Sequence, residues 1–470
     1  MKTQCLALLS CLLAACAVGP NHVKPDVSDI TPVKWKWKSA APRDEASKGE
    51  WWTVFKDREL SRLESLAVTN NNDLKAAVAR VEQARSTARA SAIAYVPNAT
   101  LNGAFSRQRT SGNTPTPVPI AIPSSQYNTF SVPLDLSYEV DFWGRIRRTV
   151  ESARADYEGS AADHQNVLLT LTSEVAANYF ALCAFDAELE VLKRTLDSRE
   201  KSAGIIDQRF KAGVVPEVDS ARAHSELDST RADVADVQRQ RGEMVSILAL
   251  LCGQTASTFH VAERTLPANP PSIPAGIPSE VLERRPDVAS AERKVASRSA
   301  LIGAEKANYF PAVRLTAEGG YLSNEAGNLF SPASRVWSFG PAVSLPITGY
   351  FVTKAKVERA KAAHEETIAT YRQTVLSAVK DVETSLNDIH YRGKQVAAQD
   401  DAVRAANHAT DLVRSRYEGG AVSYLELLDA ERTSLALELQ AAQVKAQRFV
   451  ATVRLVQAIG GSWGNGRSGK

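Results

Sequence analysis

Residues 128–140, NTFSVPLDLSYEV, alternate without interruption: Phe130, Val132, Leu134, Leu136, Tyr138 and Val140 fall on one face, and Thr129, Ser131, Pro133, Asp135, Ser137 and Glu139 on the other. A period of two over this length predicts an extended strand long enough to cross a bilayer. Three other stretches repeat the pattern more loosely. They are 99–109 (Leu101, Gly103, Phe105), 312–322 (Val313, Leu315, Ala317, Gly319, Tyr321) and 335–346 (Trp337, Phe339, Pro341, Val343, Leu345). Asp135, Glu139, Arg314 and Glu318 lie on the polar faces, so one side of the sheet meets water. A half-buried sheet in a soluble domain alternates in the same way, and the strands alone do not decide between the two. The segments joining them are long and irregular, SGNTPTPVPIAIPSS at 111–125 and an Asn-, Gly- and Ser-rich stretch at 323–334.

Outward from the strands, the chain repeats itself. DLKAAVARVEQARSTARASAIAYVP at 73–97 matches DVASAERKVASRSALIGAEKANYFP at 287–311, with Asp73/Asp287, Val81/Val295, Tyr95/Tyr309 and Pro97/Pro311 all 214 positions apart. Further on, Arg209 to Gly213 matches Arg416 to Gly420, followed by Ala223/Ala430 and Gly253/Gly460, at an offset of 207. The sequence is two tandem copies of one unit of about 180 residues, the first with a longer insert between its strands.

The remainder reads as long helix. From about Val150 to Phe210 there is no proline and only Gly159 and Gly204; such a helix is about 90 Å long. Leu168, Leu171, Val175, Leu182, Phe185, Leu189, Leu192 and Leu196 follow alternating spacings of three and four, with Asn178 as a polar interruption, the pattern of helices coiled on neighbours. The counterpart runs from about Lys354 to Tyr417. Returning helices are expected at about 217–251 and 424–459, and shorter ones at about 57–95 and 280–309. The helix at 280–309 stacked end to end on the one at 217–251, and that at 57–95 on the one at 424–459, match the long helices and give four helical lanes beside four strands.

Composition limits what this assembly can do. The 470 residues carry 56 Lys+Arg against 53 Asp+Glu, a net charge of +3, and a mean hydropathy of −0.23. These values exclude a polytopic helical membrane protein and provide no concentrated basic face for nucleic acid. Lys2 followed by the apolar stretch Leu6 to Ala15 reads as a signal peptide over 1–15. It ends in Leu13, Ala14, Ala15 and Cys16, which resembles the lipobox of bacterial lipoproteins, with Cys16 as the acylated residue. Cys183 and Cys252 are then the only body thiols. Their offset in a hairpin, about nine residues or roughly 13 Å, is too large for a disulfide. No His-x-x-x-His, Gly-x-Ser-x-Gly or phosphate-cradling loop appears, so no catalytic residue, metal site or cofactor is expected beyond the covalent lipid.

Four strands cannot close a barrel, and an open edge is not tolerated in lipid. Several chains must therefore pool their strands, and the arithmetic leaves two or three open. The run from Cys16 to His22, the tandem repeat, the Tyr-x-Pro before each first strand, Phe142 to Arg145 and RYEGGAVSYLELLDAER at 416–432 resemble the outer-membrane factor family of tripartite efflux systems. This is the TolC-like group, in its lipoprotein branch. The resemblance implies an α+β membrane protein that forms a homotrimer. A twelve-stranded outer-membrane β-barrel, four strands per chain, is continuous with a twelve-helix periplasmic α-barrel. It implies a lipidated extension at 16–56, repeat 1 at 57–253, a Pro-rich linker at 254–279, repeat 2 at 280–461 and a tail at 462–470. One departure stands out: Thr348, Gly349, Tyr350 and Phe351 stand where members often have Asp-x-Gly-Arg, so that corner is expected to be shaped differently.

Gly213 and Gly420 end the long helices at positions suited to left-handed backbone. The resemblance implies that these tips dock a periplasmic adaptor (membrane fusion) protein through Gly213, Val214, Val215, Gly420, Ala421, Val422 and Ser423. It also implies that Asp429 forms a carboxylate ring at a periplasmic gate. Leu425 narrows that pore, and Arg416, Tyr417 and Arg432 supply links between helices. Partners are then the adaptor, an inner-membrane RND-type transporter and outer-membrane lipid, with drugs or other small toxic compounds as cargo. Two alternatives remain on the sequence, a conduit for type I protein secretion and a non-channel periplasmic coiled-coil lipoprotein.

Overall fold

The computed structural model describes residues 17–35, 49–113, 124–273, 281 and 284–461; the expected acylation site Cys16 and the tail at 462–470 lie outside them. The chain divides into two compact units, and neither follows one copy of the repeat. The first takes residues up to Pro25, Val81–Ser160 and Ala291–Tyr371; the second takes Asp26–Arg80, Ala161–Ser290 and Arg372 onward.

The first unit contains the sheet. Strands β1 (Asn98–Leu101), β2 (Ala104–Arg109), β3 (Gln126–Val140), β4 (Ala312–Ser323) and β5 (Arg335–Ser344) are antiparallel. β1 and β2 lie in line along one edge of β3, and β4 and β5 follow on the other. β3 pairs with β4 from Phe130↔Ser323 to Val140↔Val313, so the two copies share one sheet. Directly opposed residues point to the same side. One face therefore collects Leu101, Phe105, Phe130, Leu134, Leu136, Leu315, Trp337, Phe339 and Val343, and the other Asp135, Glu139, Arg314, Glu318 and Ser338. No strand residue is buried on either face. Trp337 and Phe339, the largest apolar side chains of β5, are 75% and 78% exposed.

The stretch expected as one strand at 99–109 is two, broken at Asn102 and Gly103. The break lies beside Pro133, which has no N–H to give a continuous ladder. Instead Asn102 donates its N–H to the Pro133 carbonyl at 2.9 Å and its side-chain amide to Asp135 at 2.7 Å.

Helices complete this unit: α2 (Asn72–Ala92) from Val81, α3 (Arg145–Lys211) to Ser160, α5 (Pro286–Ala307) from Ala291, and α6 (Tyr350–Glu418) to Tyr371. α3 and α5 approach through small residues, with Ser152 and Ser297 hydroxyls 2.9 Å apart. The N-terminal strap crosses α5 at Gly19 and Gly303, where a Cβ on Gly19 would stand 2.4 Å from the Gly303 Cα. Arg148, buried on α3, donates to Asn21 at 2.7 Å and pins the strap.

The second unit is built from α1 (Arg58–Asn70), the rest of α3 and α6, α4 (Glu217–Leu251) and α7 (Tyr424–Ala458). Trp51, Trp52, Leu60, Leu63, Tyr179, Phe180, Leu248, Phe449 and Val456 form its main core. α3 contains a window apolar enough to cross a membrane by length and composition, but 56% of that window is buried. Its Val175, Tyr179, Phe180 and Leu182 belong to the core just described. Asp57 caps α1 and also accepts from Tyr179 and Arg264, each at 2.8 Å. The helix expected over 57–95 is two, because Asn71 stops α1 and starts α2. Its side-chain oxygen accepts from the Leu74 N–H and its amide donates to the Leu251 carbonyl, both at 3.0 Å. Cys183 and Cys252 are free and buried. Burial pushes their thiols up to about 12 and about 11, the range of inert structural cysteines.

Candidate functional site

The two helical hairpins of the second unit, α3–α4 and α6–α7, end in the same way. Val214 N–H bonds the Arg209 carbonyl at 2.9 Å, and Ala421 N–H bonds Arg416 at 2.8 Å, the wide closure of a Schellman turn. The residues between them, Gly213 and Gly420, have φ of 73° and 74°. A Cβ would meet open space at both, so backbone conformation alone requires glycine. The turns lead into different helix starts. α4 follows Pro216, which has no side-chain cap, whereas Ser423 and Glu426 form a capping box on α7.

Behind the turns the hairpins are joined by an apolar cluster. Ala203 and Ile206 of α3, Ala223 and Leu227 of α4, and Tyr424, Leu427 and Leu428 of α7 are buried together, with Val215, Val413 and Tyr417 against them. Each fully buried large side chain contributes about 1.5–3 kcal/mol. One turn further in is a charged group inside this apolar seam. The Glu226 carboxylate of α4 lies 2.9 Å from Arg199 of α3 and accepts from Arg432 of α7, Nε at 2.9 Å. Arg199 also donates to the Glu226 carbonyl at 2.9 Å and to Thr230. The Arg432 hydrogen bond, followed by the charges of Arg199 and Arg432, holds the Glu226 carboxyl below the usual range despite burial.

The residues expected to form a gate separate into two groups. Arg432 is engaged by Glu226 in its own chain, and Tyr417 is half-buried against Tyr424, ring centroids 5.7 Å apart, with Arg209 over its face at 5.8 Å. Asp429, Arg416 and Leu425 are exposed. Among the described residues, neither Asp429 nor Arg416 makes an ion pair. Of the tip residues, Val214 and Ala421 are exposed, while Val215 and Val422 are half-buried. Glu226 and Arg199 are absent from the sequence reading, although a signal for Arg199 exists. The three–four ladder of α3 continues from Leu192 and Leu196 through Arg199 to Ala203 and Ile206, which places a cation on a core position.

Two hairpins with matched tips, together with a sheet whose apolar face is uncovered, can be compared with known proteins. The profile of the outer membrane efflux protein family matches residues 63–254 and 277–461. The chain belongs to this family. It is 33% identical over its whole length to the pyoverdine export outer membrane protein OpmQ of Pseudomonas aeruginosa, covering 99% of that protein. It is 31% identical to the outer membrane protein OprJ of the same species over 98% of this chain and 96% of OprJ. Among solved structures, the outer-membrane channel OprN superposes with a TM-score of 0.88 at 29% identity, covering 95% of this chain and 99% of that one. Membership places this efflux protein in the outer membrane.

Proposed function

We propose that three copies of this efflux protein pool their sheets into a twelve-stranded barrel, continuous with a tunnel built from the helical hairpins. In this reading it is the outer-membrane outlet of a tripartite pump. The observation that carries it is the sheet itself, with no buried residue, one apolar face, and open edges at β1/β2 and β5. An edge cannot stay unpaired in lipid, and antiparallel closure between copies satisfies it. Cys16 carries the acyl anchor. A periplasmic adaptor docks on the turns around Gly213 and Gly420, and an inner-membrane RND-type transporter supplies energy. Relatives include a toluene efflux protein of Pseudomonas putida and the cation efflux protein CusC of Escherichia coli. The cargo here is correspondingly a small toxic compound chosen by the transporter.

The gate in this reading is Asp429. Three such carboxylates around an axis attract cations and repel one another, so their spacing sets both conductance and ion preference. Planar-bilayer recording of purified trimers tests it: Asp429→Ala should raise conductance and weaken cation preference. Unchanged currents in Asp429→Ala combined with Arg416→Ala would remove Asp429 from the gate.

A further inference from the structure

The two strand-to-helix corners of the first unit differ in a way the channel reading does not use. After β3, Asp141 caps α3, accepting from the Ile146 N–H at 3.0 Å and the Arg147 N–H at 2.8 Å. Arg145 pairs with Glu139 at 2.8 Å and Arg148 with Glu151 at 2.8 Å, so the cations of this corner have anionic partners in the chain. After β5 there is no charged residue from Val336 to Thr353, and no acidic residue in the first turn of α6. The corner is apolar and bare instead. Ile347 is 84% and Phe351 77% exposed, and Leu345, Tyr350 and Val352 are exposed as well.

Three features identify what covers this corner. First, Leu345 and Ile347 continue the odd-numbered series Trp337, Phe339 and Val343, so the patch extends the lipid-facing surface of β5 beyond the end of the strand. Second, aromatic rings collect at this end of the sheet: Tyr350 lies 5.3 Å from Tyr309 and 5.7 Å from Phe351, and Trp143 stacks on Phe310 at 4.5 Å. Such a belt marks the level of the membrane interface. Third, charge returns immediately as Lys354, Lys356, Arg359 and Lys361, all exposed, against a single acid, Glu358. Lys356 lines a cavity with Val352, Glu139, Asp141 and Arg314 on the polar side of the sheet, which leaves Lys354 and Lys361 on the side of α6 that carries Phe351. Lys354 lies 4.0 Å from Glu358, and among the described residues Lys361 makes no ion pair.

An apolar wedge followed along the same side of the helix by exposed lysines has the chemistry of an anionic phospholipid surface, acyl chains first and phosphates next. We propose that the β5–α6 corner is seated in the periplasmic leaflet and binds anionic phospholipid. Leu345, Ile347 and Phe351 contact acyl chains, Tyr350 sits at the interface, and Lys354 and Lys361, further along the same side of α6 as Phe351, hold headgroup phosphates. This rests on the sheet spanning the outer membrane as described above.

The test uses the full chain in vesicles of phosphatidylcholine with and without phosphatidylglycerol, carrying a spin label at Phe351→Cys. Cys183 and Cys252 are buried and do not compete for label. The label should collide with oxygen and be shielded from a polar nickel reagent, and should slow when phosphatidylglycerol is present. K354Q/K361Q should lose the phosphatidylglycerol effect while keeping the heat-modifiable trimer, whereas K356Q, on the polar side of the sheet, should keep both. A label open to nickel overturns the proposal. So does an immobile label, indifferent to lipid, that crosslinks to a cysteine replacing Val96 of a second copy, since the corner would then be a subunit contact. Loss of the trimer band from the unaltered protein would instead refute the barrel reading, and the proposal with it.

Discussion

Removing the Glu226 carboxylate should loosen the hairpin tips far more than removing its exposed partner. Arg199 and Glu226 expose only 7% and 9% of their side chains, whereas Arg432 exposes 59%. Glu226→Gln leaves Arg199 as a buried cation without a counter-charge, which costs about 3–5 kcal/mol. Arg432→Ala removes a solvent-screened arm worth about 0–1 kcal/mol and leaves the buried pair intact. Hydrogen exchange in peptides covering 196–230 reads this directly. A loss of about 3 kcal/mol should speed exchange through local opening on the order of a hundredfold in Glu226→Gln, and only a few-fold in Arg432→Ala. The pH dependence has a fixed sign. A carboxyl held below its ordinary value contributes fully above about pH 4.5, and the contribution is lost as pH falls through the depressed value. Protection of the unaltered tips should therefore fall on acidification, and that fall should be absent in Glu226→Gln. Equal exchange rates in the two variants at neutral pH would refute the assignment of Glu226 as the buried centre of the seam.

Glu64 should behave in the opposite way. It is fully buried on α1, both oxygens lack a hydrogen-bond partner among the described residues, and burial raises its carboxyl well above the usual range. Glu64→Leu should stabilise the helical unit by about 1–3 kcal/mol at neutral pH. The gain should shrink toward pH 4, because a carboxyl raised on folding costs stability only as pH climbs from its unfolded value toward its folded one; a detergent melt showing no gain at pH 7 would contradict this. Gly303→Leu should release the N-terminal strap, because a Cβ there would stand 2.6 Å from the Val18 carbonyl. Faster cleavage of residues 17–25 by a non-specific protease, with an unchanged trimer, is expected, and unaltered protection would count against the strap contact.

The sequence carried the periodic parts of this fold well and its exceptions poorly. Strand β3 and helix α3 were legible because each shows one sustained period, α6 because it repeats α3, and α4 and α7 because each follows a glycine turn. The division at Asn71 was not, since the run TNNND at 69–73 contains neither proline nor glycine. What ends α1 there is a side chain shared between a local cap and the distant Leu251 carbonyl, and periodicity cannot show a partner that far along the chain. The break in the first strand had a signal in Asn102 and Gly103, but its physical reason, Pro133, lies on another strand. At the tips, Gly213 and Gly420 were visible because their conformation is a local requirement. Glu226 was not, since its environment is made by three helices far apart in sequence. The corner at Thr348–Phe351 was read as a departure. Its apolar and basic surfaces are visible only once the first corner, with Asp141 in place, is beside it for comparison.

The pairing of Phe130 with Ser323 has a consequence for how such a chain is made. β3 emerges with one edge satisfied by β1 and β2, but its other edge must wait for β4, which follows α3, α4, the linker and α5. Until the second copy arrives, a strand rich in aromatic and branched residues is exposed to water with half its backbone unpaired. Contacts this distant are slow to form and vulnerable to aggregation while they wait. Interlacing the two halves thus ties the first copy to the second: a product truncated before β4 is left with an unpaired edge on β3, the kind of edge that invites pairing with another chain.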